Sequence, residues 1–212
     1  MAQTPPGGTA MNPAREAVLK AIAKGRATAR PVPDYALPAW TADPVSHFIA
    51  KAKASMAQVH EIAGLEEAPQ LIWAVMSAAG LAPRLHLPAN SPLRELTWQR
   101  APGLSLAAGP PGGEDSAFSA ADYAIAETGT LAFFSGPRSA SSWHFRPGRE
   151  FVLLPRACIL PRLEDIIVLL SAERRMPATL NLVTGPSRTA DIEQTIELGA
   201  HGPRDVHILI AG

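Results

Sequence analysis

From Ala57 to Ile210 the chain alternates short apolar runs with stretches of helical period, and this alternation limits its fold more than any other feature. Strands are expected at 57–62, 84–87, 104–107, 123–126, 131–134, 151–154, 179–183 and 206–210. Between them, 65–79 and 162–173 repeat apolar residues every three or four positions. Ile72, Val75 and Met76 mark one such face, and Leu163, Ile166, Ile167 and Leu170 the other. A short helix over 93–98 and a longer one over 189–198 complete the pattern. Strands that alternate with helices imply an α/β fold: a largely parallel sheet with helices on both faces, hence three α/β/α layers.

Ahead of this lies a different region. Asn12-Pro13 has the form of a helix start, Val18, Leu19 and Ile22 give one apolar stripe, and Gly25 is a natural stop. Prolines at 31, 33, 38 and 44 then describe an extended connector. Residues 1–44 are therefore expected to be an N-terminal helix and connector, and 45–212 the α/β domain, with a further helix opening near Asp43-Pro44.

Charge removes several functions. Lys+Arg and Asp+Glu are both 19, so no bulk positive field exists to hold nucleic acid or an anionic membrane. The four lysines are Lys20, Lys24, Lys51 and Lys53, so the stretch from Ala54 onward has no lysine for a Schiff base or a phosphate loop. One cysteine, Cys158, cannot form an intrachain disulfide or by itself ligate a zinc or iron–sulfur site. No apolar run approaches the roughly 18 residues of a membrane span, and the N-terminus lacks the form of a secretory leader, so the cytoplasm is the expected location. Gly-x-Ser-x-Gly and Gly-x-Gly-x-x-Gly are both absent, which disfavours a serine hydrolase or a dinucleotide dehydrogenase of the usual kind.

Three polar clusters fall at strand ends, where α/β sheets bind ligands. In Glu127-Thr128-Gly129-Thr130, a tight bend exposes backbone N–H groups. Glu127 there is a candidate base, nucleophile or clamp, or simply a solvated hairpin residue. In Thr184-Gly185-Pro186-Ser187-Arg188-Thr189-Ala190-Asp191-Ile192-Glu193, glycine allows a sharp turn. Ser187 or Thr189 could cap the expected helix, and Arg188 adds a two-pronged donor for an anion. Asp191 and Glu193 in the first turn would compete with that anion. In Gly199-Ala200-His201-Gly202-Pro203, two glycines and a proline shape a loop around His201, an acid–base candidate or a structural hydrogen-bonder with no metal ligands at suitable spacing.

Taken in order, these three strings resemble the LUD-domain family, the lactate-utilisation protein C group, over 120–212. The resemblance implies a fold similar to the NagB/RpiA/CoA-transferase group. It implies a role in oxidising L-lactate to pyruvate beside sister subunits that carry the iron–sulfur clusters, with no cofactor and no metal in this chain. It gives Glu127 and His201 as catalytic candidates. Thr128, Gly129, Thr130, Gly185, Ser187, Arg188, Thr189, Asp191, Glu193 and Gly202 are the ligand-binding positions, suited to a small anion. Many relatives carry a histidine about where Cys158 stands, a departure in this chain. Two other readings stand beside this one: a CoA-transferase or sugar-phosphate-isomerase type of enzyme using Glu127, and a non-catalytic assembly subunit.

Overall fold

A computed structural model describes residues 13–24, 37–136, 142–173, 176–190, 196–198 and 202–212. The chain divides into two compact units, Met1–Ala39 and Trp40–Gly212. In the first, helix α1 (Pro13–Lys24) buries no residue, and its stripe of Val18, Leu19 and Ile22 is exposed. Asn12 and Gly25, its expected cap and stop, lie outside the described residues.

The second unit begins with α2 (Pro44–Ala54). Asp43 caps it by accepting the Ser46 N–H at 2.9 Å, and Pro44 supplies a first-turn φ without wasting a donor. Then follow β1 (Gln58–Ile62), a 3₁₀ turn, α3 (Ala68–Ala78), β2 (Arg84–His86), two more 3₁₀ turns and β3 (Ser105–Ala107). Next come β4 (Ser116–Ala120), β5 (Tyr123–Ile125), β6 (Thr130–Phe134), the one-turn α4 (Ser142–Phe145), β7 (Arg149–Pro155), a 3₁₀ turn, β8 (Ile159–Leu160) and α5 (Leu163–Ala172). The chain closes with β9 (Leu180–Val183), β10 (Arg188–Ala190), β11 (Ile196–Leu198) and β12 (Asp205–Ala211).

Six strands form one sheet in the order β1-β12-β7-β4-β2-β3, and every neighbouring pair is parallel. Its central strands are buried on both faces, which is why β7 and β12 read as nearly continuous apolar runs. On one face Phe151, Leu153 and Leu209 pack against Ile72 and Met76 of α3. On the other, Val152, Leu154, Val206 and Ile208 meet Phe48 and Ala52 of α2 together with Leu131 and Phe133. Full burial of a side chain such as Phe48 or Ile72 contributes about 1.5–3 kcal/mol, enough to seat each helix.

Leu131 and Phe133 belong to a second sheet, β8-β5-β6-β9, which is mixed. Its outer face sets Ile125 and Ala132 against Ile166 and Leu170 of α5. The α/β fold with a largely parallel sheet is present as the pattern implies. One face of the large sheet, however, is covered by α2 and a further sheet, so α5 forms an outer layer.

Three elements differ from expectation. The described ends of the helix expected over 189–198 are strand instead: Arg188–Ala190 pairs antiparallel with Ile196–Leu198 as β10 and β11. Residues 93–98 form 3₁₀ turns at Pro92–Glu95 and Trp98–Arg100. Strand β4, the sequence Ser-Ala-Phe-Ser-Ala, escapes propensity because it has no β-branched residue. It forms because it fits between β7 and β2.

Candidate functional site

The motif segments meet at the C-terminal end of α2. Gly129 turns the β5–β6 hairpin with φ +71°, donating its N–H to the Ile125 carbonyl at 3.0 Å. A Cβ on Gly129 would stand 2.5 Å from the Ala52 nitrogen, so the bend can lie on α2 only without a side chain. Gly185 repeats the device. Its φ is +67°, and a Cβ there would stand 2.1 Å from the Ser55 carbonyl oxygen. Both glycines place polar loops against the last turn of one helix.

Hydroxyls tie the loops together. Thr130 Oγ1 lies 2.7 Å from Thr128 Oγ1 and 2.7 Å from Thr184 Oγ1, a relay of three threonines across β6 and the end of β9. The Ser187 N–H donates to the Pro203 carbonyl at 2.8 Å, and Gly202 packs under Ser187. Arg188 Nη2 reaches the Ser55 carbonyl at 3.3 Å. An open depression of about 600 Å³ results, lined by Ala54, Ser55, Thr184, Pro186, Ser187 and Arg188.

The structure thus gathers Thr130, Gly185, Ser187, Arg188 and Gly202 around one surface. Glu127 and Thr128 sit exposed on the adjoining hairpin. Thr189 lies in β10, its backbone opposite Glu197. Asp191, Glu193 and His201 lie outside the described residues. Because 188–190 is strand, the helix N-terminus that was to attract an anion is not there, and the α2 end presents carbonyls instead. Among the described residues, Arg188 and the hydroxyls are the donors that an anion at this depression would meet.

A different cluster has no counterpart in the sequence reading. Glu150, fully buried at the start of β7, accepts the Ser119 hydroxyl at 2.7 Å on Oε1. The same oxygen lies 2.7 Å from Nδ1 of His144, also fully buried, whose ring stacks on Phe133 at 3.8 Å. Among the described residues Oε2 of Glu150 has no hydrogen-bond partner. Ser119 and His144 line a cavity of about 190 Å³ with Pro88, Leu93, Asp122 and Trp143. The serine proton goes to the carboxylate and not to the imidazole, so the trio is not a nucleophile relay of the serine-hydrolase kind. A glutamate leading into an apolar strand carries no sequence signal of burial, and His144 stands in sequence beside no motif.

Residues 114–211 match the family described as the LUD domain, and the match takes in all three motif strings. An uncharacterized protein of Neisseria meningitidis serogroup B is 38% identical over 96 residues, 45% of this chain and 41% of that protein. The lactate utilization protein C of Halalkalibacterium halodurans is 33% identical over 87 residues, 39% of this chain and 38% of that protein. The chain therefore spans about two fifths of the length of these curated relatives. A crystal structure of a DUF162 family protein from Deinococcus radiodurans superposes with a TM-score of 0.59 at 19% identity, over 82% of this chain and 100% of that one. The fold of this chain is thus shared with that solved structure. Among the described residues, no helix is long and apolar enough to cross a membrane.

Proposed function

We propose that this chain is a component of an L-lactate utilisation system, acting in the cytoplasm with iron–sulfur partner subunits. One observation carries the reading. The described residues of the three strings that resemble lactate-utilisation protein C converge on a single surface at the end of α2, although Thr128 and Gly202 lie 74 residues apart in the chain. The names of relatives matched over about two fifths of their length support the same role. The chain's only cysteine, Cys158, is half-buried, and burial raises its thiol above the ordinary range, so cluster thiolates would come from partners.

A small carboxylate of the lactate or pyruvate kind would lie in the depression against Arg188, with the Thr184 and Ser187 hydroxyls as further donors. Glu127 on the exposed hairpin, and His201 next to Gly202 in sequence, are the acid–base candidates. Thr189, Asp191 and Glu193, which follow Arg188 in sequence, are the further ligand-binding candidates.

Deletion of the gene, with growth on L-lactate as readout, tests the role. The wild-type chain should restore growth and co-purify with iron–sulfur proteins. A thermal shift with lactate or pyruvate that Arg188→Ala removes would assign the depression; saturation at a hundred times Kd amounts to about 2.7 kcal/mol. Unchanged growth on lactate, with neither ligand nor partner found, would overturn the proposal. Partner capture without a ligand shift would favour the assembly subunit. A shift with acyl-CoA, and loss of turnover in Glu127→Gln, would favour the transferase.

A further inference from the structure

The carboxyl ends of β2 and β4 lie side by side where the large sheet changes direction. After β2 the chain runs outward to β3; after β4 the next strand of the sheet is β7, on the other side. A crevice opens at such a reversal, because the two connections leave in opposite directions, and open α/β sheets place ligands there. The 190 Å³ cavity occupies this point, with Pro88 just past β2 and Ser119, Ala120 and Asp122 at the end of β4. It shares no lining residue with the depression at α2.

We propose that this cavity is a second ligand site, and that it takes a compact amine: an ammonium group on an apolar body little larger than a benzene ring. Size sets the body, since a cavity of about 150 Å³ already holds benzene. Charge sets the head group. Among the described residues no lysine or arginine lines the cavity; Asp122, whose Oδ2 accepts the Phe134 N–H at 2.7 Å, is an acidic lining residue, and Glu150 stands directly behind Ser119 and His144. Ser119 donates its only proton to Glu150, so toward a ligand it can only accept. The indole of Trp143 favours a cation over an anion, and Pro88 and Leu93 supply apolar wall. A carboxylate or phosphate would meet acceptors and negative charge, with no lysine or arginine among the described lining residues to match it.

Three probes of equal size and different charge test the proposal: benzylamine, benzyl alcohol and benzoate, titrated calorimetrically into the full chain near pH 7.5. Benzylamine should bind saturably and raise Tm. Benzyl alcohol should bind about tenfold more weakly, and benzoate not at all. Ala120→Leu, which fills the cavity from its rim, should abolish benzylamine binding, and Asp122→Asn should weaken it about tenfold. Arg188→Ala, at the other depression, should leave it unchanged. Benzoate binding as well as benzylamine would overturn the charge argument. Failure of all three probes, or benzylamine binding that survives both Ala120→Leu and Asp122→Asn, would overturn the site.

Discussion

The depression at α2 and the cavity between β2 and β4 are built by opposite means. The first is backbone against backbone: two glycines with positive φ let the 127–130 and 184–188 loops touch α2, and three threonine hydroxyls hold them in line. The second is side chain against side chain. Ser119, His144 and Glu150 come from β4, α4 and β7 and meet on one buried oxygen. A surface made from backbone turns leaves a motif in the sequence, because only glycine can occupy its tight places. A cluster made from side chains on separate elements leaves none.

The sharpest way to break this contrast is to add one methyl group. Gly185→Ala should destabilise the fold by about 3 kcal/mol or more, since it combines a left-handed φ with a backbone clash, and Gly129→Ala should follow closely. Gly109→Ala, where a Cβ meets nothing within 4 Å, should be nearly neutral by the same thermal denaturation. Equal effects at all three would remove the argument that the motif glycines are there for close approach.

Glu150→Ala probes the other construction. It leaves the buried Ser119 and His144 without their shared acceptor and should cost about 3 kcal/mol in a urea titration. Glu150→Gln keeps an acceptor oxygen and should cost less. If Glu150→Ala proved harmless, the trio would contribute no order to the cavity.

The opposite face of the sheet offers a pH test that neither site should share. His207 in β12 stacks on Phe151, and its Nδ1 lies 3.2 Å from Nε2 of His60. Burial, then the His60 and Arg149 charges, push its pKa down to about 4, against an opposing pull from Asp205. The folded state thus binds its proton less readily than the unfolded one. Stability from this group is complete above pH 6.5 and is lost as pH falls from about 6.5 toward about 4, by on the order of 2 kcal/mol. His207→Gln should flatten that limb of the stability curve, and an unchanged limb would assign the acid sensitivity elsewhere.

The smallest effect should be a gain. Met56, in the turn after α2 and next to Ser55, has φ +67°, a conformation costly to a side chain. Met56→Gly should therefore be neutral to stabilising by up to about 1 kcal/mol. Destabilisation would mean that the exposed Met56 side chain makes contacts worth more than the strain it accepts.

Much of this architecture was legible in advance. The long helices, the hairpin around Glu127–Thr130 and the strands at 151–154 and 206–210 follow from period and turn residues, and each formed within a few positions of where the sequence places it. The segment after Gly185 did not. Ser187, Thr189, Asp191 and Glu193 make a good helix start on paper, yet 188–190 pairs with 196–198. Local capping preference amounts to about 1 kcal/mol, and tertiary pairing readily outweighs it. The candidate site was legible as strings, from which the structure gathers Thr130, Gly185, Ser187, Arg188 and Gly202. That α2 would be their common support was not, because nothing in Lys51–Ser55 marks it as a floor for glycines over seventy residues away.

The sequence by itself determined the class of fold, through periodicities that any chain must satisfy to bury apolar faces, and it confined basic chemistry beyond Ala54 to arginine and histidine. Tertiary structure decided where strands pair, that a second sheet covers α2's face of the first, and that Glu150 is buried between Ser119 and His144. The reason is one of range. Periodicity and turn chemistry act over a few residues and are written locally. Strand neighbours and buried polar contacts join positions far apart, and their energies exist only once the whole sheet has closed.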